Sequence, residues 1–263
     1  MLEASLELDH RLELDRIAQS ILSSRQALAF TGAGISTESG IPDFRSPDGL
    51  WKRSAPTSFR EFLNDPEIRA RYWRRRRERY PELVDKLPNV GHQSLQQLID
   101  AGTLDLVITQ NIDGLHQKSG VDSGRIIELH GSSHQIRCLE CRTLFPADSG
   151  EIDDQATIPD CPRCGGMLKE ATISFGEPLI EEDLRRSLNL AEESDFVLVV
   201  GSSLTVNPAS RVPLVAARTG ATLAIINNEE TPLDRYAEHI VQASAGASLS
   251  YLTRQVLAGV QDN

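Results

Sequence analysis

Hydrophobic and polar positions alternate along the chain in two kinds of segment. Short unbroken apolar runs lie at 27–30, 106–109, 196–200 and 222–226, and continuous runs of this length are typical of strands buried on both faces of a parallel sheet. Between them, residues 92–101, 180–193 and 208–218 carry the wider period of helices. A further amphipathic helix is expected over 9–25, with Leu12, Ile17, Ile21 and Leu22 on one side. Strands alternating with helices predict an α/β fold built on a doubly wound parallel sheet. The segment 42–90 is punctuated by Pro42, Pro47, Pro56, Pro66, Pro81 and Pro88. It reads as loops around short helices covering the edge of that sheet.

Composition narrows the function classes. The chain has 263 residues, 40% hydrophobic and 25% charged, enough apolar material for a core and too much for disorder. With 27 Lys+Arg against 38 Asp+Glu the net charge is -11, which opposes a general nucleic-acid-coating role. No apolar run approaches the roughly 20 residues that cross a bilayer. The acidic, amphipathic start MLEASLELDHRLELD lacks the marks of a leader, so a reducing cytoplasmic setting is expected.

Four cysteines stand as two pairs, Cys138 with Cys141 and Cys161 with Cys164. Two C-x-x-C knuckles at this separation fit a zinc site, each giving two thiolates to one tetrahedral shell. A full shell of sulfur leaves no position for water, so the metal is expected to staple a small insert without doing chemistry. Two disulfides or unrelated core thiols are the alternatives, disfavoured in a reducing compartment. His134, within the insert, is a further possible ligand that the site does not need. The insert is expected over 132–169, with 1–131 and 170–263 forming the main domain and 43–103 its helical cover segment.

Ligands of open α/β sheets bind beyond the carboxyl ends of the strands. Those ends carry Gly32-Ala33-Gly34-Ile35-Ser36, Gln110-Asn111-Ile112-Asp113, Gly201-Ser202-Ser203 and Asn227-Asn228-Glu229. Glycine and serine let backbone approach a phosphate, while Asn, Asp and Glu suit ribose hydroxyls and amides. Ordinary turn chemistry would explain any one string; four at one end of a sheet point to a nucleotide. A dehydrogenase fingerprint is incomplete, because Thr37 stands where G-x-G-x-x-G has its third glycine.

TGAGIST (31–37), IPDFRS (41–46), TQNID (109–113), LHG (129–131), the two cysteine pairs, FGE (175–177), GSSL (201–204) and INN (226–228) occur in the order found in sirtuins. The chain resembles that family of NAD-dependent protein-lysine deacylases, which have a Rossmann-like domain and a small zinc-bearing domain. IRARYW (68–73), RSAP (53–56) and GSSLTV are similar to the class II lineage that includes the mitochondrial sirtuin four. The resemblance implies that Gly32, Ala33, Gly34, Ile35 and Ser36 line the phosphate and nicotinamide pocket of NAD. Asp43, Phe44 and Arg45 would fold over it, and Gln110, Asn111, Ile112 and Asp113 would hold ribose and carboxamide. Gly201, Ser202 and Ser203 would meet phosphate and adenine ribose, Asn227, Asn228 and Glu229 the adenosine end, and Ala245 the adenine.

Ile173, Phe175, Gly176 and Glu177 would pair with an extended acyl-lysine peptide by strand addition. His130 would be the general base, with Asn111 beside it in the catalytic set. His10, His92, His116, His134 and His239 read as ordinary structural histidines. The implied reaction consumes NAD, giving free lysine, nicotinamide and O-acyl-ADP-ribose. Arg69, Arg71, Arg74, Arg75, Arg76, Arg77 and Arg79 form a basic run that reads first as a solvated helix face with Tyr72 and Trp73 inward. The alternative is that one of them, Arg76, meets an acidic acyl chain. The related Tyr-x-x-Arg pair of desuccinylating sirtuins aligns here with Trp73 and Arg76, so its tyrosine is missing. Rival readings are a protein mono-ADP-ribosyltransferase, a non-catalytic NAD- or ADP-ribose-binding zinc module, and a hydride-transferring dehydrogenase.

Overall fold

The computed structural model describes residues 3, 6–43, 49, 56–153 and 155–261. Helix α1 (Leu8–Ser23) precedes strand β1 (Ala27–Thr31), which runs into a 3₁₀ turn, Ala33–Ser39. Helices α2 (Phe59–Asn64), α3 (Pro66–Val84) and α4 (Val90–Asp100) lead to β2 (Leu106–Thr109), the one-turn α5 (Leu115–Lys118) and β3 (Ile126–Glu128). Strands β4 (Gly131–Cys138), β5 (Leu144–Pro146) and β6 (Leu168–Thr172) follow, then α6 (Glu181–Glu193), β7 (Phe196–Val200) and α7 (Arg211–Thr219). The chain closes with β8 (Thr222–Ile226), β9 (His239–Val241) and α8 (Ala245–Gln261).

The main sheet has six strands in the order β3-β2-β1-β7-β8-β9, every pairing parallel. The chain winds outward from β1 through β2 and β3, then restarts at β7, so the topological switch point lies between β1 and β7. The period-2 alternation of each strand feeds two layers. Ala27, Ala29, Val107, Leu198 and Val200 meet α1, α4 and α8, while Leu28, Phe30, Ile108, Val197 and Val199 meet α6 and α7. The four expected strands are therefore present. β9 was not expected; it is three residues long and takes the sheet's outer edge.

The crossover from β3 to β7 carries a second, three-stranded antiparallel sheet in the order β5-β4-β6. Its core joins Ile136, Cys138, Phe145, Ile152, Cys161 and Leu168 to Trp73 of α3.

Three helical expectations are corrected. The buried stripe of α1 is Leu14, Ile17, Ala18 and Ile21, and Leu12 is half exposed, because packing against α8 selects one helix face. Helix α7 begins at Arg211 instead of 208. The proline-rich segment contains a 19-residue helix, α3, instead of short helices only. Pro66 sits at its first turn, where no backbone N–H is needed, and Asp65 caps the N–H groups of Glu67 and Ile68 at 2.8 and 3.2 Å. Through Trp73 this helix packs on the small sheet.

Candidate active site

The carboxyl ends of β3, β2, β1, β7 and β8 bring His130, Gln110–Asp113, Gly32–Ser36, Gly201–Ser203 and Asn227–Glu229 into one row across the switch point. At its centre the loops after β1 and β7 touch backbone to backbone. Gly32 N–H donates to the Val200 carbonyl at 3.0 Å and Gly34 N–H to the Gly201 carbonyl at 2.8 Å. A Cβ on Gly34 would lie 2.7 Å from Gly201 Cα, and one on Gly32 would lie 2.8 Å from Gly201 O. Gly201 also holds φ at 62°, in the left-handed region. The glycines are thus demanded by loop–loop contact before any ligand is considered.

Beside this contact Ser36 is buried and its hydroxyl is fully engaged. It donates to Asp113 Oδ2 at 2.7 Å and accepts from Asn111 Nδ2 at 3.1 Å. His92 completes the set: its Nδ1 lies 3.1 Å from Asn89 Oδ1 and 3.3 Å from Asn89 N, and its Nε2 lies 3.4 Å from Ser36 Oγ. Asn111 also donates to the Gly32 carbonyl, and Asp113 Oδ1 accepts from Leu115 N–H. These side chains therefore lock the two loops to each other. Gln110 Nε2 donates to Ser202 Oγ at 2.7 Å, linking the β2 and β7 exits. Ile35 is buried in the core against α1, α4 and α8. Ala245 opens α8, whose Gly246 N–H donates to Glu38 Oε1 on the 3₁₀ turn at 2.9 Å. Asn227 Nδ2 donates to the Glu229 carbonyl, and Asn228 and Glu229 are exposed. Asp43 is half-buried, whereas Phe44, Arg45 and the RSA of RSAP lie outside the described residues.

His130 stands where the main sheet gives way to the small one. Its Nδ1 is 3.0 Å from the Gln110 carbonyl. A carbonyl only accepts, so the proton of the neutral ring sits on Nδ1 and Nε2 carries the lone pair. Burial pushes its pKa below the ordinary 6.5, against the pull of the Gln110 carbonyl. A neutral imidazole with Nε2 as base is therefore the resting state near pH 7.

Three neighbouring groups were not singled out as site residues in the sequence. Burial holds His116 neutral, its pKa pushed down to about 3, with Nε2 2.9 Å from Thr31 Oγ1. His92 is likewise pushed down to about 4 by burial, partly offset by Asp113. The Asn89–His92 spacing, a helix-capping pattern, is the one sequence cue that marks it. Glu128, at the end of β3, is raised to about 7 by burial, and among the described residues its Oε1 has no hydrogen-bond partner. His134 donates from Nε2 to the Asp113 carbonyl at 2.8 Å and faces Tyr80 of α3, tying the small sheet to the β2 loop.

The segment after β6 runs alongside. Ile173 N–H donates to the His130 carbonyl at 2.8 Å, and Phe59 N–H donates to the Phe175 carbonyl at 2.9 Å. Phe175 and Gly176 are exposed, and Glu177 turns inward to Arg137 and Lys169. Trp73 is buried as expected, and Arg71, Arg74 and Arg75 form the solvated face. Arg76 departs from that face. It is 3% exposed, stacks 4.4 Å from the Tyr80 ring, and approaches Glu170 at 3.9 Å, and among the described residues its Nε and Nη2 have no hydrogen-bond partner.

The Cys138, Cys141, Cys161 and Cys164 sulfurs lie within 4.8 Å of one another, with Cys138–Cys164 at 3.5 Å and Cys141–Cys161 at 3.8 Å. Zinc–thiolate bonds of about 2.3 Å in a tetrahedron put sulfurs about 3.8 Å apart, so the four cysteines are positioned to bind a zinc ion. All four are free thiols, and His134 is engaged elsewhere.

A profile of the Sir2 family matches residues 32–208. An NAD-dependent protein deacetylase of Caldivirga maquilingensis is 46% identical over 250 residues, 93% of this chain and 95% of that protein. A Sir2 homologue mutant solved with ADP-ribose superposes at a TM-score of 0.88, with 33% identity, over 94% of this chain and 98% of that one. A Sir2 structure solved with a p53 peptide and NAD reaches a TM-score of 0.79 at 30% identity, over 94% and 98% of the two chains.

Proposed function

We propose that this chain, which belongs to the Sir2 family, is an NAD-dependent protein-lysine deacylase that transfers the acyl group to ADP-ribose and releases nicotinamide. The observation that carries the mechanism is the hydrogen bond from His130 Nδ1 to the Gln110 carbonyl, which presents Nε2 as a base at the junction of the two sheets. The exits of β2, β7 and β8 fit a dinucleotide laid across the switch point, offering an amide, hydroxyls and a carboxylate in one row. NAD, when bound, supplies a ribose carbon activated by its bond to nicotinamide and a hydroxyl that receives the acyl group.

The protein's part is positioning, proton transfer and exclusion of water. Gly32–Ser36 and Gly201–Ser203 hold the phosphates and riboses, with Asn227, Asn228, Glu229 and Ala245 toward the adenosine end. The Asn111–Ser36–Asp113 cluster keeps the nicotinamide side of the pocket rigid, so stray water is not admitted by loop motion. Asn111 thereby serves the catalytic set through the pocket it holds. His130 takes the hydroxyl proton at Nε2. The peptide lies extended along Ile173–Phe175, within strand-pairing reach of the backbone that bonds to His130. Gly176 and Glu177 turn the chain behind it. Phe44 and Arg45 complete the cofactor loop on the sequence resemblance alone. Cys138, Cys141, Cys161 and Cys164 would hold zinc as a structural staple, leaving no position for a reacting water.

The buried donors of Arg76 support a role in reading acidic acyl chains from the α3 side of the cleft, and IRARYW and GSSLTV support placement near the class II lineage. Free cysteine pairs fit a cytoplasmic, reducing setting. Among the described residues, no helix is long and apolar enough to cross a membrane.

The test is the purified protein with NAD and a panel of acetyl-, succinyl-, glutaryl-, hydroxymethylglutaryl-, long-chain- and lipoyl-lysine peptides, read by mass spectrometry. Nicotinamide and O-acyl-ADP-ribose should form together. Nicotinamide released with ADP-ribose attached to protein and no O-acyl-ADP-ribose would make the chain a transferase of the other kind, and no nicotinamide would make it a binding module. Arg76→Ala should reduce activity on glutaryl-type peptides more than on acetyl peptides; equal loss would refute acyl reading by this residue.

A further inference from the structure

Lys169 lies in β6 with its side chain fully buried. Its ammonium pairs with Glu177 Oε2 at 3.0 Å and donates to the carbonyls of Thr172 and, at 3.4 Å, Glu170. Glu177 is also gripped by Arg137 of β4 at 2.6 Å and accepts from Ser174 N–H at 3.0 Å. Arg137 and Lys169 are register partners across the small sheet, one residue from the Cys138–Leu168 pair. One buried charge cluster thus connects a zinc-ligating strand to both ends of 172–177.

Burying a lysine is costly, and an apolar side chain of similar length would fill the space without that penalty. A buried ion pair is therefore weak evidence for stability and better evidence for a fixed geometry. Here the geometry it fixes is the exit of β6. Beyond Thr172 the strand leaves the sheet, and Ile173 N–H reaches the His130 carbonyl. Ser174 is then held by the Glu177 side chain, and Phe175 by Phe59. The ammonium spans the Thr172 carbonyl and Glu177, and with Arg137 on the same carboxylate it ties the start of 172–177 to its end.

We infer that Lys169 is a positioning residue for the peptide subsite, fixing the exit of β6 so that 173–175 keeps its register against His130. The inference rests on the deacylase reading above and deepens it. It makes the small sheet and its zinc knuckle a support for peptide binding, distinct from the loops that hold NAD. Arg137 is the second post of the same support.

The experiment is steady-state kinetics of Lys169→Met, Lys169→Arg and Arg137→Gln with an acyl-lysine peptide and NAD varied separately, alongside zinc content and thermal unfolding. Lys169→Met should raise the peptide KM roughly tenfold, the effect of losing about 1.4 kcal/mol of differential binding. The KM for NAD and kcat should change less than about twofold at this energy scale. Lys169→Arg, which keeps the charge, should recover most of the loss. If Lys169→Met does not fold, Arg137→Gln, at a partly exposed post, carries the same test with a smaller rise. Parallel losses in both KM values and kcat, or no rescue by arginine, would show a merely structural role and overturn the inference. Wild-type protein that releases no nicotinamide would overturn the deacylase reading and this inference with it. Active wild type with an unchanged peptide KM in both the Lys169→Met and Arg137→Gln variants overturns this inference alone.

Discussion

One added methyl group at Gly34 should part the two loops that meet at the switch point. Its Cβ would lie 2.7 Å from Gly201 Cα and 2.8 Å from Gly201 O. These are backbone atoms, fixed by the β1–β7 pairing, so they cannot rotate away as a flexible side chain could. Overpacking of this kind costs about 1–3 kcal/mol. Gly34 carries no positive φ, so the steric cost stands alone there. Gly102 supplies the complement: φ is 72° and nothing lies within 4 Å of its Cβ position. Gly102→Ala should therefore show only the left-handed backbone cost of about 1–2 kcal/mol. Gly201→Ala meets both, with φ at 62° and Gly34 C 2.7 Å from its Cβ position. For a chain of this size about 1 kcal/mol moves Tm by about 2 °C. Gly34→Ala should lose about 2–6 °C, Gly102→Ala about 2–4 °C, and Gly201→Ala about the sum of the two. Only the two loop variants should also raise the KM for NAD. The assay is thermal unfolding by circular dichroism with nicotinamide release at varied NAD. If Gly34→Ala unfolds with the wild type and keeps its NAD affinity, the loop–loop account of these glycines is wrong.

Further outcomes follow from the charged and metal-binding groups. His130→Ala should lose roughly 10²–10⁴ in acyl transfer with an unchanged circular dichroism spectrum. Because burial lowers the pKa of His130 and the base must be neutral, kcat/KM of the wild type should fall on acidification with a midpoint below 6.5; a midpoint above it would remove the assignment. Glu128 is raised from 4.5 to about 7, so its contribution to stability is full below pH 4.5 and is lost as pH rises through about 7. Glu128→Gln should flatten that loss in urea titrations across the same window, and a slope identical to wild type would rule the carboxyl out as its source. Chelation should release zinc and redden Trp73 fluorescence, because that ring is packed in the core of the small sheet with Cys138 and Cys161. A protein that keeps its emission after complete zinc loss would show that the thiols are not its staple.

The sequence alone determined the α/β class, the four central strands, the metal-binding cysteines and the row of chemistry at the strand ends. It could do so because each is a local signal. An unbroken apolar run, two paired knuckles and polar residues right after a strand keep their meaning wherever the chain goes. Helix ends and faces were less legible. Leu12 satisfies the helical period as well as Leu14 does, and only packing against α8 chose between them. The proline count of 42–90 concealed α3: Pro66 sits at its first turn, where a proline has no N–H to lose, and Pro81 lies inside the helix.

Tertiary structure decided what depends on distant residues meeting. It drew Arg76 out of a solvated arginine face into contact with Tyr80 and Glu170, and it spent Ser36 on Asn111, Asp113 and His92. It gave the switch-point glycines a reason in one another, and it set His130 on the Gln110 carbonyl, fixing which nitrogen carries the lone pair. It also placed Lys169, a residue with no motif of its own, behind the segment proposed to hold the peptide. Local patterning names the groups a chain can offer. Protonation, partners and register arise only where the two sheets close on each other, because they are set by burial and by atoms far away in sequence.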